Sequence, residues 1–364
     1  MAKKQAFSIF ARWASRGRQS RGAAGKTRAG SAAKPGAAET LGPRVLHRYG
    51  RFEIVYGPQP AGKAASRLAA NARLTQTERA GIAAFKLATG KAQKGRRRIK
   101  APSIAEHTAK ADLRDTIYRG KEVKSARKLI IAKAAPSVQP NNRLIGKVAV
   151  GTIFVAGTHP GLPISNGEIA SATGQIQSGL TWLQGLSDTA NVEWLHDVQA
   201  ETINVSPDYS GDDYEPMERP WRDPALLQLT GATGATGIAK HAGAVRAKLG
   251  APRVIVLMVT KYPAFHYASA LPRNKFVAMS WAGSGGMPGN FAEIVAHESA
   301  HLFGAPDEYS PCGCGGSHGF FSKPNRNCES CAPGGGESCI MRDLVRSACP
   351  STLLHLGFPD APGQ

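Results

Sequence analysis

The feature that most constrains this chain is a regular alternation of strand-like and helix-like segments from residue 148 to residue 304. Residues 148–155 (VAVGTIFV) and 253–260 (RVIVLMVT) are rich in β-branched residues, and the second run is apolar at consecutive positions, as in a strand covered on both faces. Between them, a capping box of Ser165 and Glu168 opens a segment with one apolar face. This alternation predicts an α/β domain with a mostly parallel, twisted sheet over residues 145–364.

Two local patterns refine this domain. Asp223 followed by Pro224 is typical of a helix start, and the three glycines that follow should weaken the middle of that helix. Residues 276–280 (FVAMS) belong to a more alternating run bounded by a glycine-rich loop, which favours an edge strand.

Charge divides the chain near residue 144. Residues 1–144 contain 32 Lys and Arg against 7 Asp and Glu, whereas the remainder contains 14 against 19. A uniformly basic nucleic-acid binder would not be divided in this way, so we interpret the chain as two functional halves. Residues 1–50 lack apolar periodicity and are interpreted as a disordered basic tail, and residues 51–144 as a basic helical pro-region or tether.

Within the pro-region, residues 51–56 (RFEIVY) predict a short strand. Thr75 and Glu78 form a capping box for a helix that Gly90 ends, and a second box opens at Ser103.

The segment 290–309 (NFAEIVAHESAHLFGAPDEY) contains the candidate catalytic residues. His297 and His301 stand four residues apart on one helical face, the separation at which two imidazoles can bind one tetrahedral metal ion. Gly304 can adopt the left-handed conformation that ends a helix, so the chain can turn back and bring Asp307 to the metal as third ligand. Three protein ligands leave the fourth position for water, as in catalytic Zn²⁺ sites.

Glu298 lies beside the first histidine, where it can hydrogen-bond a metal-held water rather than join the ligands. Zinc lowers the pKa of its water towards about 7 and polarises a bound carbonyl. Glu298 would therefore take the water proton as general base and return it to the leaving amine. Asn290 with Glu293 predicts the N-cap of this helix. These residues predict a zinc endopeptidase that hydrolyses peptide bonds in protein or peptide substrates.

The segment HESAHLFGAPDEY resembles the long zinc signature of the metzincin metallopeptidases, HExxHxxGxxH, in the variant with Asp as third ligand found in snapalysin-type bacterial proteases. Its DEY ending is also similar to bacterial peptidases of the IgA-protease type. Metzincins carry a methionine turn below the metal, and ESCIMRD offers Met341 there, flanked by cysteine as in the adamalysin branch. The resemblance covers residues 145 to about 355, and implies a metzincin-like catalytic domain with an active-site helix and a small Cys-rich C-terminal subdomain over residues 308–355.

The sequence also departs from the family pattern. The third ligand is not His, so Glu308, which follows Asp307, is kept as a rival ligand. Arg342 follows Met341 where some branches place Ser-Tyr, so the tyrosine that joins the metal in those branches is absent. We expect Tyr309 to be a packing residue, since tyrosines after a turn commonly cover a core edge.

All six cysteines lie in one short stretch of the C-terminal half: Cys312, Cys314, Cys328, Cys331, Cys339 and Cys349. Such a cluster is compatible with disulfides in an oxidising compartment, and sequence alone does not fix their pairing. The rival is a second, structural Zn²⁺ held by the first four of these cysteines. We favour disulfides, with a bridge from Cys339 that pins the floor of the site next to Met341.

A competing hypothesis is a nucleic-acid or polyanion binder that works through its basic first half, with a zinc-stabilised C-terminal scaffold. Clustered Lys and Arg have aromatic residues nearby that would allow stacking on bases: Phe7, Phe10, Trp13, Tyr49 and Phe52. No recognised binding motif organises these residues, whereas the zinc segment specifies a geometry, so we prefer the peptidase.

Apolar runs are far shorter than the roughly 20 residues of a transmembrane helix, and Arg12 and Arg16 interrupt the N-terminal apolar segment, so we expect neither a membrane span nor a secretory signal. We expect a monomeric zymogen that is secreted by another route, with a cytoplasmic location as the alternative.

Because peptidases often bind extended substrates as an added strand, we expect the substrate cleft between residues 276–280 and the helix of His297.

Overall fold

The computed structural model describes residues 7–13, 44–58, 74–89, 142–265, 267–281, 290–313, 315–331 and 336–361. The strands in these ranges are β1 Phe7–Trp13, β2 Arg44–Tyr49, β3 Phe52–Pro58, β4 Lys147–Gly157, β5 Glu193–Ile203, β6 Arg253–Thr260, β7 Ala268–Leu271, β8 Phe276–Ser280, β9 Gly315–His318 and β10 Lys323–Asn325. The helices in these ranges are α1 Gln76–Thr89, α2 Asn166–Gln184, α3 Tyr214–Thr230, α4 Gly234–Leu249, α5 Phe291–Leu302, α6 Ile340–Asp343 and α7 Pro350–Leu356.

Eight of the strands form one sheet in the order β1-β3-β2-β5-β4-β6-β8-β7, and β9 pairs with β10 in a separate ribbon. Strands β2, β5, β4, β6 and β8 are parallel to their neighbours in this series. Antiparallel strands complete both ends, with β3 and β1 beyond β2 and with β7 beyond β8. The prediction of a mostly parallel α/β sheet is therefore confirmed.

Helices cover both faces of this sheet. Helices α1, α2 and α5 contribute to one buried apolar cluster, which also includes Trp194 of β5 and Met341. Helices α3 and α4 bury Trp221, Leu226 and other side chains in a second cluster on the opposite face. A central strand such as β6 is buried along nearly its whole length because both of its faces are covered. None of the described helices is both long and apolar enough to cross a membrane.

The N-terminal half contributes to this same sheet, which corrects the predicted organisation. Strands β1 and β2 lie within residues 1–50, so a disordered tail is wrong for these two segments. Strand β2 pairs with β5 through His47, Arg48 and Tyr49, so the boundary near residue 145 does not separate two sheets. The predicted strand at residues 51–56 is confirmed as β3.

Capping boxes located two of the helices correctly. The backbone N–H of Glu78 donates to the Thr75 hydroxyl at 3.1 Å, and the Thr75 N–H donates to the Glu78 carboxylate at 3.0 Å. The reciprocal pair of Ser165 and Glu168 opens α2 in the same way. The box at Ser103 lies outside the described residues.

The prediction of a helix start at Asp223 and Pro224 is wrong, because both residues lie inside α3. The helix begins ten residues earlier, where the Asp213 side chain accepts a hydrogen bond from the Tyr214 N–H at 2.7 Å. Gly231 ends it with φ +68°, and α4 follows as a separate helix. The local pattern misled because Pro224 is tolerated inside this helix.

The assignment of residues 276–280 to an edge strand is also wrong. These residues form β8, which lies between β6 and β7, and all five side chains are buried. The edge is the four-residue strand β7, so the predicted cleft along residues 276–280 is not available to an added strand.

The aromatic residues that supported base stacking are also in the core. Tyr49 and Phe52 are completely buried and Phe10 is only 8% exposed. Stacking of bases on these three rings is therefore excluded, while the side chains of Phe7 and Trp13 lie outside the described residues.

Candidate metal centre

Helix α5 carries two of the three candidate ligands, His297 and His301, and is fixed against its neighbours at both ends. Near its start it crosses α2 at Gly179, where any Cβ atom would overlap the carbonyl of Ala292. At its end, the buried Nζ of Lys275 donates to the carbonyl of Leu302. Lys275 immediately precedes β8, and burial lowers the pKa of its amine to about 7. The Asn290 side chain makes no capping hydrogen bond, so that predicted cap is wrong.

The chain leaves α5 through a glycine and turns back, as the sequence predicted. Gly304 has φ +104°, and a Cβ there would lie 2.9 Å from the Phe320 backbone nitrogen. A larger residue would therefore meet both backbone strain and a steric clash. This turn returns Asp307 to the face of α5 that carries the two histidines.

Three donor atoms converge at this point. The Nε2 atoms of His297 and His301 lie 3.0 Å apart, and Oδ1 of Asp307 lies 3.2 Å and 3.3 Å from them. Tetrahedral ligands with bonds of about 2.0 Å stand roughly 3.3 Å apart, so the spacing suits one zinc ion. The structure thus brings together the three predicted ligands.

The opposite nitrogen of each ring is tied to a backbone carbonyl. His297 Nδ1 lies 2.9 Å from the carbonyl oxygen of Ile340, and His301 Nδ1 lies 2.7 Å from that of Ala305. Since a carbonyl can only accept, each Nδ1 carries a proton that it donates to its carbonyl, which fixes each ring so that its Nε2 faces Asp307. Oδ1 of Asp307 is itself buried without a partner of hydrogen-bond geometry among the described residues.

Two imidazole Nε2 atoms and a carboxylate oxygen thus converge on one point. Such an arrangement favours a bound cation, and nitrogen and oxygen donors suit Zn²⁺.

The pKa shifts of the candidate ligands also favour a cation at this point. Burial opposes the charged form of His301, but Asp307 and Glu298 outweigh it and raise the pKa of His301 to about 9. Burial also opposes the charged form of Asp307, yet the two histidines lower its pKa to about 2. The site therefore stabilises positive charge at the imidazole nitrogens.

Glu298 lies next to these ligands and is 6% exposed. It makes no hydrogen bond or ion pair with any of the described residues, so its carboxylate is available to a bound water or substrate. Burial raises the pKa of Glu298, and the neighbouring histidines reduce that rise. A carboxylate with a raised pKa accepts and releases a proton more readily near neutral pH.

Tyr309 is a residue that sequence reasoning underestimated. Its ring is nearly parallel to that of His297, with ring centres 6.4 Å apart, and its hydroxyl is buried without a hydrogen-bond partner among the described residues. Burial and the nearby charges of Asp307 and Glu298 raise the pKa of Tyr309, so the phenol stays protonated. The expected packing role accounts for the ring but not for the hydroxyl, which lies beside both carboxylates.

The floor of the site is formed by the residues around Met341. Met341 is completely buried, and its carbonyl accepts a hydrogen bond from the Glu308 N–H at 2.9 Å. The preceding residue supplies the carbonyl that orients His297. Glu308, the rival ligand, turns away from the histidines and accepts from Asn327 and Thr352 instead.

The structure shows the bonding state of five of the six cysteines. Cys312 and Cys328 form a disulfide, and Cys331 is disulfide-bonded as well, whereas Cys314 lies outside the described residues. The favoured disulfides are therefore found at Cys312, Cys328 and Cys331, and the rival four-thiolate zinc site is wrong. Cys339 and Cys349 are buried free thiols, so the expected bridge from Cys339 is not formed.

A cavity of about 340 Å³ lies on the opposite face of the sheet, beside α4. Its polar lining includes Asp197, which pairs with Lys248 at 2.9 Å, and His241. The cavity contains none of the groups of metal-ligand spacing found among the described residues, and the sheet separates it from His297 and His301. We therefore keep the metal centre at α5 as the candidate functional site.

Comparison of the sequence with models of known protein families and with curated proteins finds no match.

Proposed function

We propose that this protein is a zinc-dependent endopeptidase whose metal is held by His297, His301 and Asp307. The observation that supports this most directly is the convergence of two imidazole Nε2 atoms and one carboxylate oxygen within 3.0–3.3 Å. Backbone carbonyls fix both imidazoles in the orientation that a metal site requires. The similarity of HESAHLFGAPDEY and of the strand and helix order to metzincins supports the same assignment.

When bound, a zinc ion would supply the Lewis acidity that lowers the pKa of a water and polarises a peptide carbonyl. The buried carboxylate of Glu298 then takes the water proton and delivers it to the leaving amine. Its burial and raised pKa suit a group that must both accept and donate. The Tyr309 hydroxyl is a neutral donor positioned to stabilise the oxyanion that develops on the carbonyl oxygen.

The substrate strand pairs with the outer edge of β7 in this proposal, since β7 is the last strand of the sheet among the described residues. Helix α5 packs against β7, and Ser269 of that strand is anchored to the buried Glu218. An added strand obtains main-chain hydrogen bonds there whatever its sequence. The Cys312–Cys328 disulfide supports secretion into an oxidising compartment as the location.

The test replaces Glu298 by Gln, which keeps the shape of the side chain but removes the base. We expect peptide cleavage to fall by at least about 100-fold while zinc content is unchanged. Glu293→Gln is the matched control, because Glu293 lies on the same helix but pairs with Arg346 at 2.7 Å. Full activity of the Glu298→Gln protein would contradict the proposal.

A further inference from the structure

A second cluster of metal-binding side chains lies beneath the candidate centre. Glu308, Cys339 and Cys349 are buried, and their ligand atoms all lie within 4.8 Å of one another. The Sγ atom of Cys349 is 3.1 Å from Oε1 and 3.3 Å from Oε2 of Glu308, so both carboxylate oxygens face this thiol. The three residues come from three separate segments, namely the turn after α5 and the residues that precede α6 and α7.

The Glu308 carboxylate is the unusual member of this cluster. It is 0% exposed, and no Lys, Arg or His among the described residues forms an ion pair with it. Its donors are all neutral: the Asn327 amide at 2.7 Å, the Thr352 hydroxyl at 2.9 Å and the Cys349 thiol. Burial of a carboxylate is costly unless a cation compensates it, so the observed partners leave its charge unbalanced.

The donor set itself identifies the cation. Two thiolates are soft ligands that select Zn²⁺ over Mg²⁺ or Ca²⁺, and a carboxylate is an accepted third ligand. Because both oxygens of Glu308 face Cys349, a bidentate carboxylate would complete four donor atoms without water. Asn327 and Thr352 hold the carboxylate oxygens in the way that outer-shell groups orient metal ligands.

We propose that Glu308, Cys339 and Cys349 bind a second, structural zinc ion. This site differs from the four-cysteine site that was the rival to disulfides, because Cys312, Cys328 and Cys331 are in disulfides. It does not depend on the proposed peptidase activity. It would tie together the chain segments around Met341, since Cys339 is two residues from Met341 and the Glu308 N–H bonds the Met341 carbonyl.

Two thiols this close could instead form a disulfide, and the experiment separates the two outcomes. The full-length protein is purified without reductant under anaerobic conditions, and zinc per chain is measured together with thiols titrated after unfolding in chelator. We expect two zinc ions per chain and two titratable thiols. Replacement of zinc by Co²⁺ should produce a thiolate-to-metal charge-transfer band, which ligands of nitrogen and oxygen alone do not give.

Variants assign the ions to their sites. Cys349→Ser should remove one zinc and the charge-transfer band, whereas His297→Ala should remove the other zinc and keep the band. Glu308→Gln retains a side chain that hydrogen-bonds but lacks the charge, and should bind the second zinc more weakly. The control is the double variant Cys312→Ser/Cys328→Ser, which removes cysteines outside the proposed site and should keep both ions.

The wild-type spectrum and metal content keep the test decisive even if a variant fails to fold. One zinc per chain with two titratable thiols and no charge-transfer band in the Co²⁺ protein would overturn the proposal in favour of a hydrogen-bonded thiol pair. Absence of titratable thiols would overturn it in favour of a Cys339–Cys349 disulfide. Failure of the peptidase proposal would appear differently, as inactivity with the charge-transfer band intact.

Discussion

At the scale of single residues, the candidate centre depends on groups that orient the ligands from behind. The carbonyls of Ile340 and Ala305 decide which nitrogen of each histidine faces Asp307. The spacing of His297, His301 and Asp307 is a local property of a helix and its turn, so sequence could predict that the three would meet. The residue that supplies the carbonyl to His297 is 43 positions away, and no local pattern indicates it.

Tyr309→Phe tests the role of the unpaired hydroxyl. Loss of a donor to a developing oxyanion should lower kcat by about 100-fold, with little change in KM or zinc content. Steady-state kinetics with a peptide substrate measure this. Tyr209→Phe is the matched control, because that hydroxyl bonds the Pro263 carbonyl at 3.2 Å instead. Equal kcat values for the wild-type and Tyr309→Phe proteins would show that Tyr309 only packs and that its hydroxyl has no part in catalysis.

Met341→Leu tests the floor of the site. Because the volumes are similar, the free energy of unfolding should fall by less than about 1.5 kcal/mol, and activity should be nearly unchanged. Denaturant unfolding and a peptide assay measure the two effects. A large loss of activity in a stably folded variant would show that the methionine takes part in the chemistry.

At the scale of elements, the N-terminal strands and α1 complete the core rather than cover the site. Tyr49 of β2 is completely buried and stacks on His196 of β5, with ring centres 4.2 Å apart. Glu78 of α1 binds the Arg51 guanidinium at 2.7 Å, which joins the helix to the β2–β3 turn. Removal of these elements would expose the edge of β5, so a pro-region that is discarded whole does not fit this arrangement.

A pair of tyrosines tests this conclusion. Tyr49→Ala should lower the free energy of unfolding of the full chain by about 3–5 kcal/mol, as for other large aromatic residues removed from a core. Tyr56→Ala, on the neighbouring strand, should have little effect because Tyr56 is 46% exposed. Denaturant unfolding of both variants provides the comparison. A Tyr49→Ala protein as stable as the wild type would show that the fold does not depend on residues 44–58.

Elements with strong local signals were predictable, and elements defined by their neighbours were not. The capping boxes at Thr75 and Ser165 located α1 and α2, because a cap is a contact between residues three positions apart. Strand β7 (ASAL) is short and lacks a β-branched run, so it gave no signal and β8 was taken for the edge. Strand β2 sits in a basic, glycine-rich context that masked its place beside β5. Strand order depends on long-range packing, which local patterns do not encode.

At the scale of the whole molecule, two buried histidines make stability sensitive to acid. His47 and His196 are 0% and 1% exposed, and their ring nitrogens lie 2.9 Å apart across the β2–β5 junction. The second nitrogen of His47 bonds the Thr181 hydroxyl of α2 at 2.7 Å. Burial lowers the pKa of His47 from 6.5 to about 3, and burial with the charge of His47 lowers the pKa of His196 as well.

The sign of the pH effect follows from these shifts. Between about pH 6.5 and pH 3 the unfolded chain binds protons that the folded core excludes, so stability falls as pH falls. From pH 7 to pH 5, the wild-type protein should lose about 2 kcal/mol more of its free energy of unfolding than His47→Gln. Denaturant unfolding at the two pH values measures this difference.

His159→Gln is the control for that measurement, since His159 is partly exposed and lies outside the His47–His196 pair. This variant should retain the wild-type dependence on pH. An identical dependence in the His47→Gln protein would mean that the buried pair does not set the acid sensitivity of the fold.

The central claim is that the centre at His297, His301 and Asp307 binds zinc and uses it to cleave peptide bonds. The most direct test is cleavage of denatured casein by the full-length protein before chelator treatment, after it, and after zinc is restored. We expect cleavage that chelator abolishes and zinc recovers. Cleavage that persists in the metal-free protein, or no cleavage by the zinc-loaded protein, would contradict it.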